Sequence, residues 1–177
     1  MLFRSVLIQA AEDMGVVGEM LAKNAADGAI RFASWVGDQA AIAPHMQAVL
    51  SPKLIRRLCT NCREAYRPNP KLLAKVGLPP ETTALYRQPK DRDEETGQQV
   101  PVHCNVCGGL GYYGRTVMME VLEFTDKIKE AFAAGADAAT LKALAREENM
   151  TTHRTEGIRL VAEGITSLEE LQRTFAG

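Results

Sequence analysis

Two short cysteine pairs, Cys59-Thr-Asn-Cys62 and Cys104-Asn-Val-Cys107, use all four cysteines of the chain, and residues 63 to 103 lie between them. The Cys-x-x-Cys spacing lets two thiolates from one tight turn grip a single ion. Two such pairs complete the tetrahedral four-sulfur shell that Zn²⁺ favours. The second pair runs on into Gly108-Gly109-Leu110-Gly111-Tyr112-Tyr113-Gly114-Arg115. Small residues there let backbone N–H groups turn toward sulfur where a side chain would crowd it. Cys59, Cys62, Cys104 and Cys107 are therefore the candidate ligands of one zinc site, and its purpose is the open question.

The bulk properties narrow that question. A chain of 177 residues is one domain or two small ones packed together. No stretch approaches the roughly 20 apolar residues needed to cross a bilayer. The start, Met1-Leu-Phe-Arg-Ser-Val-Leu-Ile, lacks the basic opening and small-residue cleavage site of a signal peptide. Its abruptness suggests a fragment of something longer. Without an export signal the cysteines are expected to stay reduced, which ranks zinc above disulfides. A net charge of −1 argues against a general nucleic-acid binder, which should carry a basic excess. The expectation is a soluble, intracellular protein.

The residues give other chemistries little support. A catalytic zinc keeps an open position and uses fewer cysteines, so the all-thiolate set reads as structural. His103, next to Cys104, could replace one cysteine, but four thiolates already suffice. His45 and His153 are scattered, and His153 is expected to be an exposed residue at a helix start. A thioredoxin-like redox pair would open a helix after a strand, whereas the second pair here is followed by glycines. No Gly-x-x-x-x-Gly-Lys-Ser/Thr loop, Gly-x-Ser-x-Gly or His-Glu-x-x-His motif is present, so the chain carries no usual triphosphate cradle.

Apolar spacing assigns the elements. Residues 5–50 read as helical and alanine-rich, with Val17, Met20, Leu21 and Ile30, Phe32, Trp35, Val36 as apolar positions. Gly28 and Gly37 would interrupt the helices, and Pro44 suits a first turn. Ser51-Pro52 resembles an N-cap and first helical residue, predicting a short helix over 51–58 that delivers Cys59. Leu54, Ile55 and Leu58 would form its apolar face. Helices are also predicted over 70–77 and 79–86, then a flexible loop over 87–99, and a strand over 116–123. The last third reads as a helical bundle punctuated by Thr125, Gly135, Asp137 and Gly164. Ser167-Leu-Glu-Glu170 is a capping box for the final helix, with Leu168, Leu171 and Phe175 inward.

Leu54-Ile-Arg-Arg-Leu-Cys59-Thr-Asn-Cys62 resembles a segment of the bacterial type II secretion and type IV pilus assembly ATPases. So does Cys104-Asn-Val-Cys107-Gly-Gly-Leu-Gly111-Tyr-Tyr-Gly114-Arg115, followed by Met119-Glu-Val-Leu122. The ending is similar as well: Leu144-Ala-Arg-Glu-Glu-Asn-Met150, Glu156-Gly157-Ile158 and Gly164-Ile-Thr-Ser-Leu-Glu-Glu-Leu171. The likeness covers about residues 48–175, and the first 47 match less well. The resemblance implies the C-terminal part of a hexameric motor, in which a four-cysteine zinc subdomain follows the ATPase core. It also implies partners: neighbouring subunits and inner-membrane secretion or pilus platform proteins, met at the cytoplasmic face. The histidine that senses nucleotide in that family is not found, and neither a Walker A loop nor a Walker B acid lies in this chain. No enzymatic activity is expected of it alone.

The fold expected is mainly α with a small β component. Residues 1–50 would be a helical segment from the end of the ATPase core, 51–123 a tetracysteine zinc subdomain and 124–177 a C-terminal helical bundle. The alternative is a free-standing zinc-knuckle protein. Cys104-x-x-Cys107-x-Gly109-x-Gly111 fits one repeat of the J-type co-chaperones, but no second copy occurs. A nucleic-acid-binding ribbon would need aromatic and basic residues together, and Tyr112, Tyr113 and Arg115 supply only a little.

Overall fold

The computed structural model describes residues 2–92, 99–100 and 102–176. Among them the chain is mainly helical, with a smaller strand content, as its patterning predicts. The described residues fall into two compact units that interleave in sequence. One is built from 1–52 with 119–152, the other from 53–118 with 153–177. This grouping differs from the three consecutive blocks read from the sequence. Its cause is a pair of long strands, β1 (Ala48–Leu58) and β6 (Tyr112–Glu123), that hydrogen-bond to each other far apart in the chain. Bonds from Phe124 N–H to Gln47 O and from Cys59 N–H to Gly111 O make them antiparallel.

The first unit holds α1 (Leu2–Asp13), α2 (Ala25–Val36), α3 (Gln39–Ile42), a 3₁₀ turn (Ala43–His45), α5 (Asp126–Ala133) and α6 (Ala138–Glu147). Asn24 caps α2 by accepting the Asp27 N–H at 3.0 Å, and Gly37 closes it at φ 89°. Ala25, Ala26, Ala29 and Ala33 are buried. Gly28 does not break this helix. It lies inside it, where an added Cβ would stand 3.3 Å from Val49 of β1, so glycine allows helix and strand to close up. Residues 14–24 are not helical, and Val17 and Leu21 are 100% and 90% exposed rather than inward. Gly15 and Gly18 weaken any helix there.

Asp137 caps α6 and Thr125 caps α5, as their sequence signals require. In the core Phe124 and Phe132 meet edge to face with centroids 5.1 Å apart. Phe132 is fully buried among Ile42, Leu122, Ile128 and Leu141. Phe132→Ala should therefore cost about 3–5 kcal/mol, from lost transfer energy and the cavity left behind. Urea denaturation checks this, and a loss under about 1 kcal/mol would contradict the packing.

The second unit carries β2 (Glu64–Tyr66), α4 (Pro70–Val76), β3 (Leu85–Arg87), β4 (Asp91–Arg92), β5 (Gln99–Val100), α7 (His153–Ala162) and α8 (Leu168–Ala176). The expected helix over 51–58 is instead part of β1. Ile55 is buried while Leu54 is 59% exposed, which is a period of two and not of a helix. Ser51-Pro52 is thus not a cap. Helix α4 forms as predicted, with Asn69 accepting the Lys71 N–H at its start and Gly77 at its end. The helix expected over 79–86 is absent; β3 takes its end, because Leu85 is fully buried and pairs opposite Tyr66. The expected flexible loop over 87–99 contains paired strand at its edges, Asp91 opposite Val100 and Arg92 opposite Gln99. Residues 93–98 of that loop lie outside the described ones.

The closing helices do not form one bundle. Helices α5 and α6 pack into the first unit's core, while Leu160, Val161, Leu168 and Leu171 of α7 and α8 join Ile55, Leu73, Leu85 and Met118 in the second. Gly157 permits that packing, since Leu171 and Met118 fill the space a Cβ would take. Phe175, expected inward, is 46% exposed and lies under the Lys53 ammonium at 5.4 Å.

Candidate metal centre

The two knuckles are built by local backbone. At the end of β1 the Cys59 carbonyl accepts N–H groups from Cys62 at 3.3 Å and Arg63 at 2.9 Å, which folds Cys59–Cys62 into a tight turn. The second turn is closed by Gly108 N–H on Cys104 O at 2.8 Å. Gly108, Gly109 and Gly111 all have positive φ, at 63°, 85° and 69°, a path that side-chain-bearing residues resist. Cys59 N–H donates to Gly111 O at 2.9 Å and so ties one knuckle to the other.

The four cysteines are unpaired thiols whose sulfurs all lie within 4.8 Å of one another. Cys59 Sγ is 3.9 Å from Cys104 Sγ, and Cys62 Sγ is 3.6 Å from Cys107 Sγ. A regular tetrahedron with Zn–S bonds of about 2.3 Å has edges of about 3.8 Å. The donor set and its spacing thus fit a four-sulfur ion. Cys59, Cys104 and Cys107 are buried, and Cys62 is half-buried.

Polar groups around the sulfurs favour their charged form. Asn61 Nδ2 donates to Cys104 Sγ at 3.4 Å and Gly111 N–H to Cys107 Sγ at 3.3 Å. The Cys107 backbone N–H, the Asn61 amide and the Val106 backbone bring the Cys104 thiol down to about 6. Burial, then the neighbouring sulfurs of Cys107, Cys104 and Cys59, push the Cys62 thiol well up. Four thiols so close cannot all ionise without a cation between them. A soft dication removes that conflict.

The knuckles are braced by the turn between α7 and α8. Leu58 N–H donates to Ile165 O at 2.8 Å, and Arg63 Nη1 to Gly164 O at 2.6 Å, with its guanidinium 4.3 Å from the Tyr86 ring centroid. Thr166 Oγ1 donates to Arg56 O at 2.8 Å. Ser167 Oγ accepts the Glu170 N–H at 3.1 Å, as the capping-box pattern requires. Glu170 does not complete that box. Its carboxylate is fully buried and accepts from Arg56 Nη2 at 2.5 Å, Arg56 N–H at 3.2 Å, and Arg173 Nε and Nη2 at 2.7 Å each. Burial opposes the charge, yet the bonds from Arg173 and Arg56 outweigh it and hold the Glu170 carboxyl at about 2. Nothing local announces this bracing role except the acidic third residue after Ser167.

The histidines stand apart from the sulfurs. His103 is exposed, and among the described residues the metal-capable group contains cysteines alone. His153, expected at the surface, is buried at 5% exposure, because α7 turns its first residue into the second unit. His45 lies in the 3₁₀ turn of the first unit. No helix among the described residues is long and apolar enough to cross a membrane.

Comparison with known proteins adds a family. A family model described as "Type II/IV secretion system protein" matches residues 5–173, reaching well into the N-terminal segment where the motif likeness is thin. The type IV pilus assembly ATPase PilB of Thermus thermophilus is 36% identical over 135 residues, covering 76% of this chain and 14% of that protein. PilB of Acinetobacter baylyi is 30% identical over 169 residues, covering 95% of this chain and 28% of its own length. Type II secretion system protein E of Klebsiella pneumoniae is 30% identical over 169 residues, with 95% and 31% covered. The chain spans less than a third of the length of each of these relatives.

Proposed function

The chain belongs to the type II/IV secretion system protein family, and from that membership we propose that it is a zinc-stabilised, non-catalytic module of a secretion or pilus assembly ATPase. The observation that carries the reading is the convergence of Cys59, Cys62, Cys104 and Cys107 within one coordination sphere's dimensions. These four would hold Zn²⁺, which supplies a crosslink and no reaction, since a full thiolate shell leaves no open position. The chain's own residues brace that crosslink: Gly111 and Asn61 donate to sulfur, and Arg63 and Leu58 fasten the first knuckle to the α7–α8 turn.

The role is mechanical. The module presents a rigid surface to neighbouring subunits of a hexameric motor and to inner-membrane platform proteins, at the cytoplasmic side. ATP binding and turnover belong to a core with a P-loop, which these 177 residues do not contain. The co-chaperone reading rests on a single Cys-x-x-Cys-x-Gly-x-Gly repeat, and the nucleic-acid reading on Tyr112, Tyr113 and Arg115 alone. The zinc-loaded chain incubated with Mg-ATP should release phosphate no faster than buffer, and turnover above that background would contradict a non-catalytic module.

A further inference from the structure

On the second unit Leu54, Arg56, Arg115 and Arg173 line a shallow cleft of about 260 Å³. Leu54 and Arg56 stand on β1, Arg115 on β6 and Arg173 on α8. Three arginines line this small space, and the Arg56 and Arg173 charges repel each other unless an anion lies between them. Glu170 supplies one carboxylate, and Arg56 and Arg173 both donate to it. The Arg115 side chain is exposed and, among the described residues, makes no hydrogen bond or ion pair. Arg56 Nε is buried without an acceptor, so the guanidinium is not fully satisfied by Glu170. One carboxylate for three guanidinium groups leaves the cleft positive.

The cleft is also held in shape beforehand. The Arg56 guanidinium lies 4.2 Å from the Tyr112 ring centroid, and Tyr112 Oη is hydrogen-bonded to Ser167 Oγ at 2.8 Å. Arg56 is thus fixed from two sides, by stacking and by Glu170. Beside it Leu54 offers an apolar wall that is 59% exposed.

We propose that this cleft binds an acidic side chain of a partner polypeptide, with Arg115 as the principal donor to its carboxylate and Leu54 receiving a neighbouring apolar side chain. Guanidinium forks match a planar carboxylate with two parallel hydrogen bonds, which gives direction as well as strength. Leu54 would be wasted on a bare anion but suits a peptide carrying both residue types. A polyanion such as nucleic acid or an anionic membrane needs a broad basic field, and a net charge of −1 does not provide one. The inference deepens the contact role proposed above and rests on it for the existence of a partner, but not on the metal.

The test uses the zinc-loaded 177-residue chain and a fluorescein-labelled peptide of alternating glutamate and leucine, read by fluorescence anisotropy at low salt. The glutamine–leucine counterpart should bind at least about tenfold more weakly, because a rim charge acts chiefly through its electrostatic partner. Arg115→Glu should weaken the glutamate peptide at least about tenfold, and Arg115→Lys about threefold, since lysine keeps the charge without the fork. Zinc content and thermal midpoint should stay at the parent values in both variants, Arg115 being exposed. Equal affinity for the two peptides, or undiminished binding by Arg115→Glu, overturns the proposal. Arg115-dependent cosedimentation with phosphatidylglycerol vesicles, without peptide binding, also overturns it in favour of a lipid surface. A parent chain that holds no zinc contradicts the metal-stabilised module, whereas a zinc-loaded chain that ignores the peptide contradicts only the cleft.

Discussion

Cys59→Ser is expected to release zinc and to unfold both knuckles together with the packing around them. Cys59 is fully buried, its N–H holds Gly111, and its carbonyl holds Cys62 and Arg63. Apparent binding energies of structural zinc sites run to about 10–16 kcal/mol, against about 5–15 kcal/mol for the whole stability of a domain. Losing a ligand therefore removes an amount comparable to everything that keeps the second unit folded. Hydrogen exchange should show protection lost at Cys59–Arg63 and at Gly108–Gly111, with metal content falling in parallel. Protection unchanged from the parent would mean that the knuckles stand without their crosslink.

Glu170→Gln should destabilise the chain by about 2–3 kcal/mol. Removing one partner of a buried pair costs about 3–5 kcal/mol, and the figure is reduced here because Arg56 and Arg173 side chains are 42% and 60% exposed. The same carboxylate makes stability depend on pH in a stated direction. Its folded value, about 2, lies below the ordinary 4.5, so its contribution is complete above about 4.5 and is lost as pH falls through 2. The difference between parent and variant in urea denaturation should be full at pH 7 and shrink steadily below pH 4.5. Thiolate protonation acts on both chains, so the difference isolates Glu170. A difference that is independent of pH would show that the carboxylate is not the group being lost.

Local signals were the legible ones. Asn69, Thr125 and Asp137 cap the helices that their positions announce, and Gly37 and Gly77 end theirs, because capping is settled within a few residues. The meeting of the cysteines could likewise be read from two Cys-x-x-Cys turns. What stayed hidden depended on distant chain. Leu54, Ile55 and Leu58 suit a helix face by spacing alone, and only β6, more than fifty residues on, makes them a strand. That pairing also splits the closing helices between two units, an outcome no periodicity in 124–177 could announce. Glu170 reads as a cap partner, and its buried ion pair with Arg56 appears only once β1 and α8 lie side by side. The burial of His153 is non-local in the same way.

In the proposed module four thiolates hold one structural zinc. Zinc-edge X-ray absorption on the purified chain, with metal content measured on the same sample, tests it most directly. The expected result is about one zinc per chain and four sulfur neighbours at about 2.3 Å, with no nitrogen or oxygen in the shell. A folded chain without zinc, or a shell containing nitrogen or oxygen ligands, would contradict it.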